Sequence, residues 1–139
     1  MGKFVSDTTQ ERRTLLSLIW IFLSVNYILC DVLSNMEASV LQQMMKGQIA
    51  GMELTQGFLL FAAITLEIPF IMIVLSRMLP FRVNKILNII AGSMMIIYQL
   101  SSYHMGTLPS LHYIFFSVVE ILGNVIILVL ALKWTDGKN

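Results

Sequence analysis

The sequence predicts an all-α integral membrane protein: a four-helix bundle running up, down, up and down, with both termini in the cytoplasm. Three observations predict it. Apolar residues make up 57% of the 139 residues and charged residues only 12%, where a soluble domain carries about 25% charged. The apolar residues gather in four long stretches, and mean hydropathy is +0.79. The Lys and Arg residues then alternate in density between the ends of those stretches. This composition excludes a disordered chain, a nucleic-acid-binding domain and an ordinary cytosolic enzyme. A net charge of +1 names no strongly charged partner.

The four stretches are 14–34, 55–77, 86–105 and 111–134, within a single domain, 1–139. Each is about 20 residues or more, enough to cross a hydrocarbon core of roughly 30 Å at 1.5 Å per residue. Backbone groups must be satisfied inside each span, so the spans are helices. Ser6 to Glu11 reads as a polar helix start leading into the first. That first span is too long for a signal-peptide core, and no small-residue cleavage site follows it. Residues 35–54 form the long loop. Within it Met36–Lys46 (MEASVLQQMMK) has the pattern of a short amphipathic surface helix, broken by Gly47 and Gly51. Short connections at Leu79–Arg82 and Gly106–Pro109 make spans two and three, and three and four, antiparallel neighbours. Pro69, inside the second span, is expected to kink it.

Orientation follows from charge. Lys3, Arg12, Arg13, Arg77, Arg82, Lys85, Lys133 and Lys138 fall on one side and only Lys46 on the other. The positive-inside rule puts the richer side, and both termini, in the cytoplasm. Trp134 and Phe81 suit the inner interface, and Phe58, Tyr103 and Tyr113 the outer one.

No cofactor is expected: there is no glycine-rich phosphate loop and no Cys-x-x-Cys or His-Glu-x-x-His motif. The one cysteine, Cys30, lies in an apolar run and reads as packing. His104 and His112 flank the outer turn with Asp31 nearby, but the further ligands of a metal site are missing and none is predicted. The ten methionines are scattered and read as adaptable packing.

Chemistry is concentrated in three carboxylates within the spans, Asp31, Glu67 and Glu120, with no Lys or Arg at comparable depth. Ionisable groups in a span are costly and mark function by default. Counting residues puts Glu67 and Glu120 roughly 14–15 Å below the outer surface and Asp31 roughly 5 Å below it. Helical spacing adds polar stripes: Trp20, Ser24, Tyr27 and Asp31 on the first span; Asn88, Gly92, Met95, Gln99 and Ser102 on the third; Tyr113, Ser117, Glu120 and Asn124 on the fourth. Glu67 stands alone on its stripe, between Ala63 and Ile71. Stripes of this kind turn away from lipid, so the four are expected to converge, with Glu67 and Glu120 paired across the bundle. Gly92 and Gly123 are expected at close helix contacts.

Several segments carry a resemblance: Leu15–Leu16–Ser17 with Trp20; Tyr27 to Ser34 (YILCDVLS); Leu66–Glu67–Ile68–Pro69; Leu75–Ser76–Arg77; Arg82–Val83–Asn84; and Tyr113 to Phe116 followed by Glu120. Together they resemble a family of small four-span bacterial membrane proteins of unknown function, which implies a bacterial or archaeal plasma-membrane location and no particular activity. Asp31 and Glu67–Ile68–Pro69 also bear a weaker likeness to the sigma-2 receptor and emopamil-binding (sterol isomerase) group, four-helix bundles whose cavity is lined by an Asp and a Glu before proline.

The functional expectation is a non-enzymatic protein that binds or transports a small amphipathic or cationic ligand in an acid-lined cavity. Asp31, Glu67, Glu120, Tyr27, Trp20, Tyr98, Gln99, Ser117 and Asn124 are the candidate lining. Acids and rings without a basic residue favour a hydrophobic cation over an anion. A membrane lipid isomerase and an accessory subunit with no ligand of its own stand as alternatives. Beyond the lipid bilayer and such a ligand, no nucleic acid is expected as partner and the oligomeric state is open to a homo-oligomer, which channel activity would need, because four helices hardly enclose a wide pore.

Overall fold

A computed structural model describes the backbone of residues 2–102 and 109–135, with side chains from Thr9 onward. Tyr103, His104, the Gly106–Leu108 turn, the Lys3 side chain and Lys138 lie outside the described residues. The chain runs through α1 (Gly2–Asn35), α2 (Ala38–Met45), β1 (Gln48–Ile49), β2 (Met52–Glu53), α3 (Gln56–Met78), α4 (Phe81–Ser102) and α5 (Leu111–Leu132). Four of these helices are long and apolar enough to cross a membrane, over Thr9–Asn35, Gln56–Met78, Phe81–Ser102 and Leu111–Leu132.

The distribution of side chains is that of a protein turned inside out. Ser17, Ser24, Asn26, Thr65, Ser76, Asn84, Asn88, Gln99, Ser117, Glu120 and Asn124 are buried, while Leu18, Leu60, Ile97 and Phe115 are each more than half exposed. Water as solvent would oppose this arrangement, and lipid selects it. Between helices in lipid there is no hydrophobic drive, so close packing and interhelical hydrogen bonds hold the bundle. The chain is a multi-pass membrane protein.

Cross-helix bonds fix the arrangement. Arg12 Nη1 donates to the Leu130 carbonyl near the start of α1, and Asn124 donates to Tyr27 further along it, so α1 and α5 are antiparallel. Lys85 reaches the Leu132 carbonyl while Gln99 meets Ser117, so α4 and α5 are antiparallel too. Ser17 Oγ donates to the Ile73 carbonyl of α3. α1 packs on α3 and α5, and α4 packs on α5 and, less extensively, on α3. α3 and α5 therefore sit across a diagonal.

Local sequence explains the ends. Thr55 caps α3, its side chain accepting from the Phe58 amide. Pro80 stops one helix and opens the next, so α4 begins at Phe81 rather than at 86. α3 is continuous from Gln56 to Met78 through Pro69, which is buried. The surface helix expected at Met36–Lys46 is α2, and a small hairpin follows it. Ala50 and Gly51 turn that hairpin with φ of +49° and +79°, the pattern of a type I′ turn. At the other end, Trp134 is buried and packs edge-to-face on Phe81 with ring centroids 5.2 Å apart. It closes that end of the bundle.

Candidate functional site

Two polar groups lie inside the bundle at different levels. The lower one joins α1, α3 and α4. Trp20 Nε1 donates to Asn88 Oδ1 at 2.7 Å, and Asn88 Nδ2 donates to Asn84 Oδ1 at 2.7 Å. Asn84 Nδ2 in turn donates to the Ser76 carbonyl at 2.6 Å. All four residues are completely buried. Trp20, predicted as ligand lining, is thus committed to a structural network. Sequence reasoning missed Asn84, because the third span is predicted to start at Ile86, and Ser76, because Glu67 is taken as the inward residue of the second span. Extending the Asn88 stripe back by one turn would have reached Asn84.

The upper group is a polar column between α1, α4 and α5. Ser102 and Tyr113 share a hydrogen bond near its top. Below them Gln99 Nε2 donates to Ser117 Oγ at 2.6 Å. One turn deeper lies Glu120, 1% exposed, and another turn deeper Asn124, whose Nδ2 donates to Tyr27 Oη at 2.7 Å and to the Glu120 carbonyl at 2.8 Å. Tyr98 is half-buried beside the column. Glu120 is nine residues into α5, about 14 Å along it at 1.5 Å per residue.

The column is incompletely paired. Glu120 Oε1 and Asn124 Oδ1 are both buried and neither receives a hydrogen bond. Two acceptors one turn apart without a donor are expensive in a low-dielectric interior. Chemically they are suited to a donor carrying positive charge, such as an ammonium group. Among the described residues no Lys or Arg supplies one: Arg12 is spent on the Leu130 carbonyl near the end of α5, and Lys85 on the carbonyls of Leu132 and of Trp134 just beyond it.

The stripes predicted on spans one, three and four converge as expected, apart from Asp31. Asp31 is exposed near the C-terminal end of α1, within electrostatic range of Glu120 and Tyr98. The stripe predicted on the second span does not converge. α3 turns Thr65, Pro69, Met72 and Ser76 inward, and Glu67 is exposed on its far side. The expected pairing of Glu67 with Glu120 is therefore corrected: the two carboxylates belong to diagonal helices, and only one of them points in. The physical reason is packing. Small and bendable side chains let α3 approach α1, and that fit outweighs the wish of one carboxylate to avoid lipid.

Elsewhere, His112 Nε2 lies 3.3 Å from Oγ of both Ser34 and Ser110, and its Nδ1 lies 3.8 Å from Glu37 Oε1. This cluster ties the start of α5 to the α1–α2 junction. A shallow groove lined by Gln10, Glu11, Thr14, Leu15 and Leu18 runs along the early part of α1 and contains none of the candidate residues.

Residues 3–139 match a family described as a family of unknown function, DUF6326, and the chain belongs to it. No curated protein and no solved structure matches the chain.

Proposed function

We propose that this DUF6326 protein sits in a bacterial cell membrane with both termini in the cytoplasm and binds or transports a small cationic or amphipathic molecule at Glu120. The single observation that carries the reading is the two unpaired oxygens, Glu120 Oε1 and Asn124 Oδ1, both buried and, among the described residues, bonded to no Lys or Arg. A ligand ammonium would gain from the carboxylate in low dielectric and from the faces of Tyr27 and Tyr98. Asp31, exposed at the outer end, is placed to attract the ligand first. The column residues pack on one another, so access requires a seam such as Gln99–Ser117 to part.

The test is equilibrium binding of protonated 1-adamantylamine, a compact lipophilic cation whose ammonium carries N–H donors, to the purified protein in detergent and in nanodiscs. Wild type is expected to bind, and Glu120→Gln, which keeps shape and removes charge, to bind at least tenfold more weakly. Equal affinity for both proteins would defeat the reading. A purely structural role remains the better account of the lower network, since the Trp20, Asn88, Asn84 and Ser76 side chains are all partnered.

A further inference from the structure

Glu67 poses a problem that the single bundle does not solve. It is the central residue of α3, with eleven residues on either side between Gln56 and Met78. At 100° per residue it lies about 190° round the helix from the centre of the packed face formed by Thr65, Pro69, Met72 and Ser76. Every neighbour on its own stripe is exposed: Leu60, Ala63, Ile64, Phe70, Ile71 and Val74. No hydrogen bond or ion pair reaches its carboxyl among the described residues. α3 is also the least covered of the long helices: 17% of its most apolar stretch is buried, against 33% for α4 and α5 and 44% for α1. A carboxyl at the middle of a lipid-facing helix is among the costliest placements a membrane protein makes.

We infer that this face of α3 is the interface of a homodimer, in which two copies of the chain meet about a twofold axis along the membrane normal and the two Glu67 side chains pair at that axis. A twofold interface is isologous: a residue on the axis meets its own copy, at the same depth. The carboxyl group suits that position, because in its acid form it is donor and acceptor at once and two of them satisfy each other. The rest of the stripe supplies matching apolar surface, with Ala63 one turn from the crossing point to let the helices come close. A second copy fits better than a basic helix from another protein, since the pair is closed without any group this chain lacks. The inference does not depend on the Glu120 reading, which concerns the opposite side of the molecule.

The experiment is Förster transfer between donor- and acceptor-labelled copies in proteoliposomes, titrated over protein-to-lipid ratio, for wild type, Glu67→Gln and Glu67→Leu. Nothing inside the bundle touches Glu67, so both variants should fold. Wild type is expected to dimerise, Glu67→Gln to keep most of the affinity through its self-complementary amide, and Glu67→Leu to lose about tenfold, the scale of one strong interhelical polar contact in lipid. Oxidative crosslinking in a Cys30→Ala background locates the interface: Ala63→Cys and Ile71→Cys are expected to form dimers, and Val125→Cys on α5 is not. A monomeric wild type, a Glu67→Leu variant that dimerises as tightly as wild type, or crosslinking at Val125→Cys in preference to the α3 sites would each overturn the inference.

Discussion

Asn88 carries more of the interior than any acid does. Its Oδ1 accepts from the Trp20 indole and from Ser76 Oγ, and its Nδ2 donates to both the carbonyl and the side-chain oxygen of Asn84. Asn88→Leu fills the same volume but leaves the Trp20 N–H and the Asn84 oxygen without partners. Each buried unpaired group costs about 1–3 kcal/mol, so the variant is expected to lose several kcal/mol, read as a lower unfolding midpoint in SDS or a lower Tm in detergent. Glu120→Gln, by contrast, is expected to leave the midpoint within about 1 kcal/mol of wild type, since Glu120 Oε1 receives no hydrogen bond for Gln to forfeit. That contrast separates the structural polar group from the one proposed to bind a ligand.

At the scale of whole helices, α5 is held at both ends by other elements. Its last carbonyls receive Arg12 and Lys85, which place positive charge on the negative end of the helix dipole. Arg12→Met and Lys85→Met are each expected to cost about 0.3–1 kcal/mol, and less at high salt, because such contacts are partly screened. Midway along, Gly123 faces Leu23 of α1 so closely that an added Cβ would stand 2.6 Å from Leu23 Cδ2. Leu23 is fully buried and has little room to yield. Gly123→Ala is therefore expected to destabilise by about 1–3 kcal/mol, the usual cost of overfilling a packed core. Gly92→Ala, where the nearest atom would be 3.4 Å away, is expected to be milder. Comparing the two midpoints tests whether the α1–α5 seam is the tighter one.

For the molecule as a whole, the charge asymmetry predicts the orientation that a labelling experiment can read. In a Cys30→Ala background, a membrane-impermeant maleimide added to intact cells should modify Gln48→Cys in the exposed hairpin and spare Arg82→Cys and Thr135→Cys. All three positions are exposed, so accessibility does not confound the result. Labelling at Arg82→Cys with Gln48→Cys protected would invert the orientation and place Glu120 nine residues from the cytoplasmic face rather than the outer one.

Much of this was legible in the chain because a membrane makes few demands and makes them strictly. Length and hydropathy determine the four spans, since no shorter or more polar helix crosses lipid. Two-residue and glycine-containing breaks determine where helices end. Helical spacing determines that Asn88, Gln99 and Ser102 share a face, and that Ser117, Glu120 and Asn124 share another, because 3.6 residues per turn is a property of the backbone alone. Spacing does not determine which face turns inward when a helix offers two. α3 offers Thr65 and Ser76 on one side and Glu67 on the other, and avoidance of lipid by a carboxylate argued for the second. Only the tertiary structure decided for the first, because the inward face is chosen by how closely neighbouring helices fit, and Thr65, Pro69 and Ser76 present α1 and α4 with a smoother surface than a glutamate does.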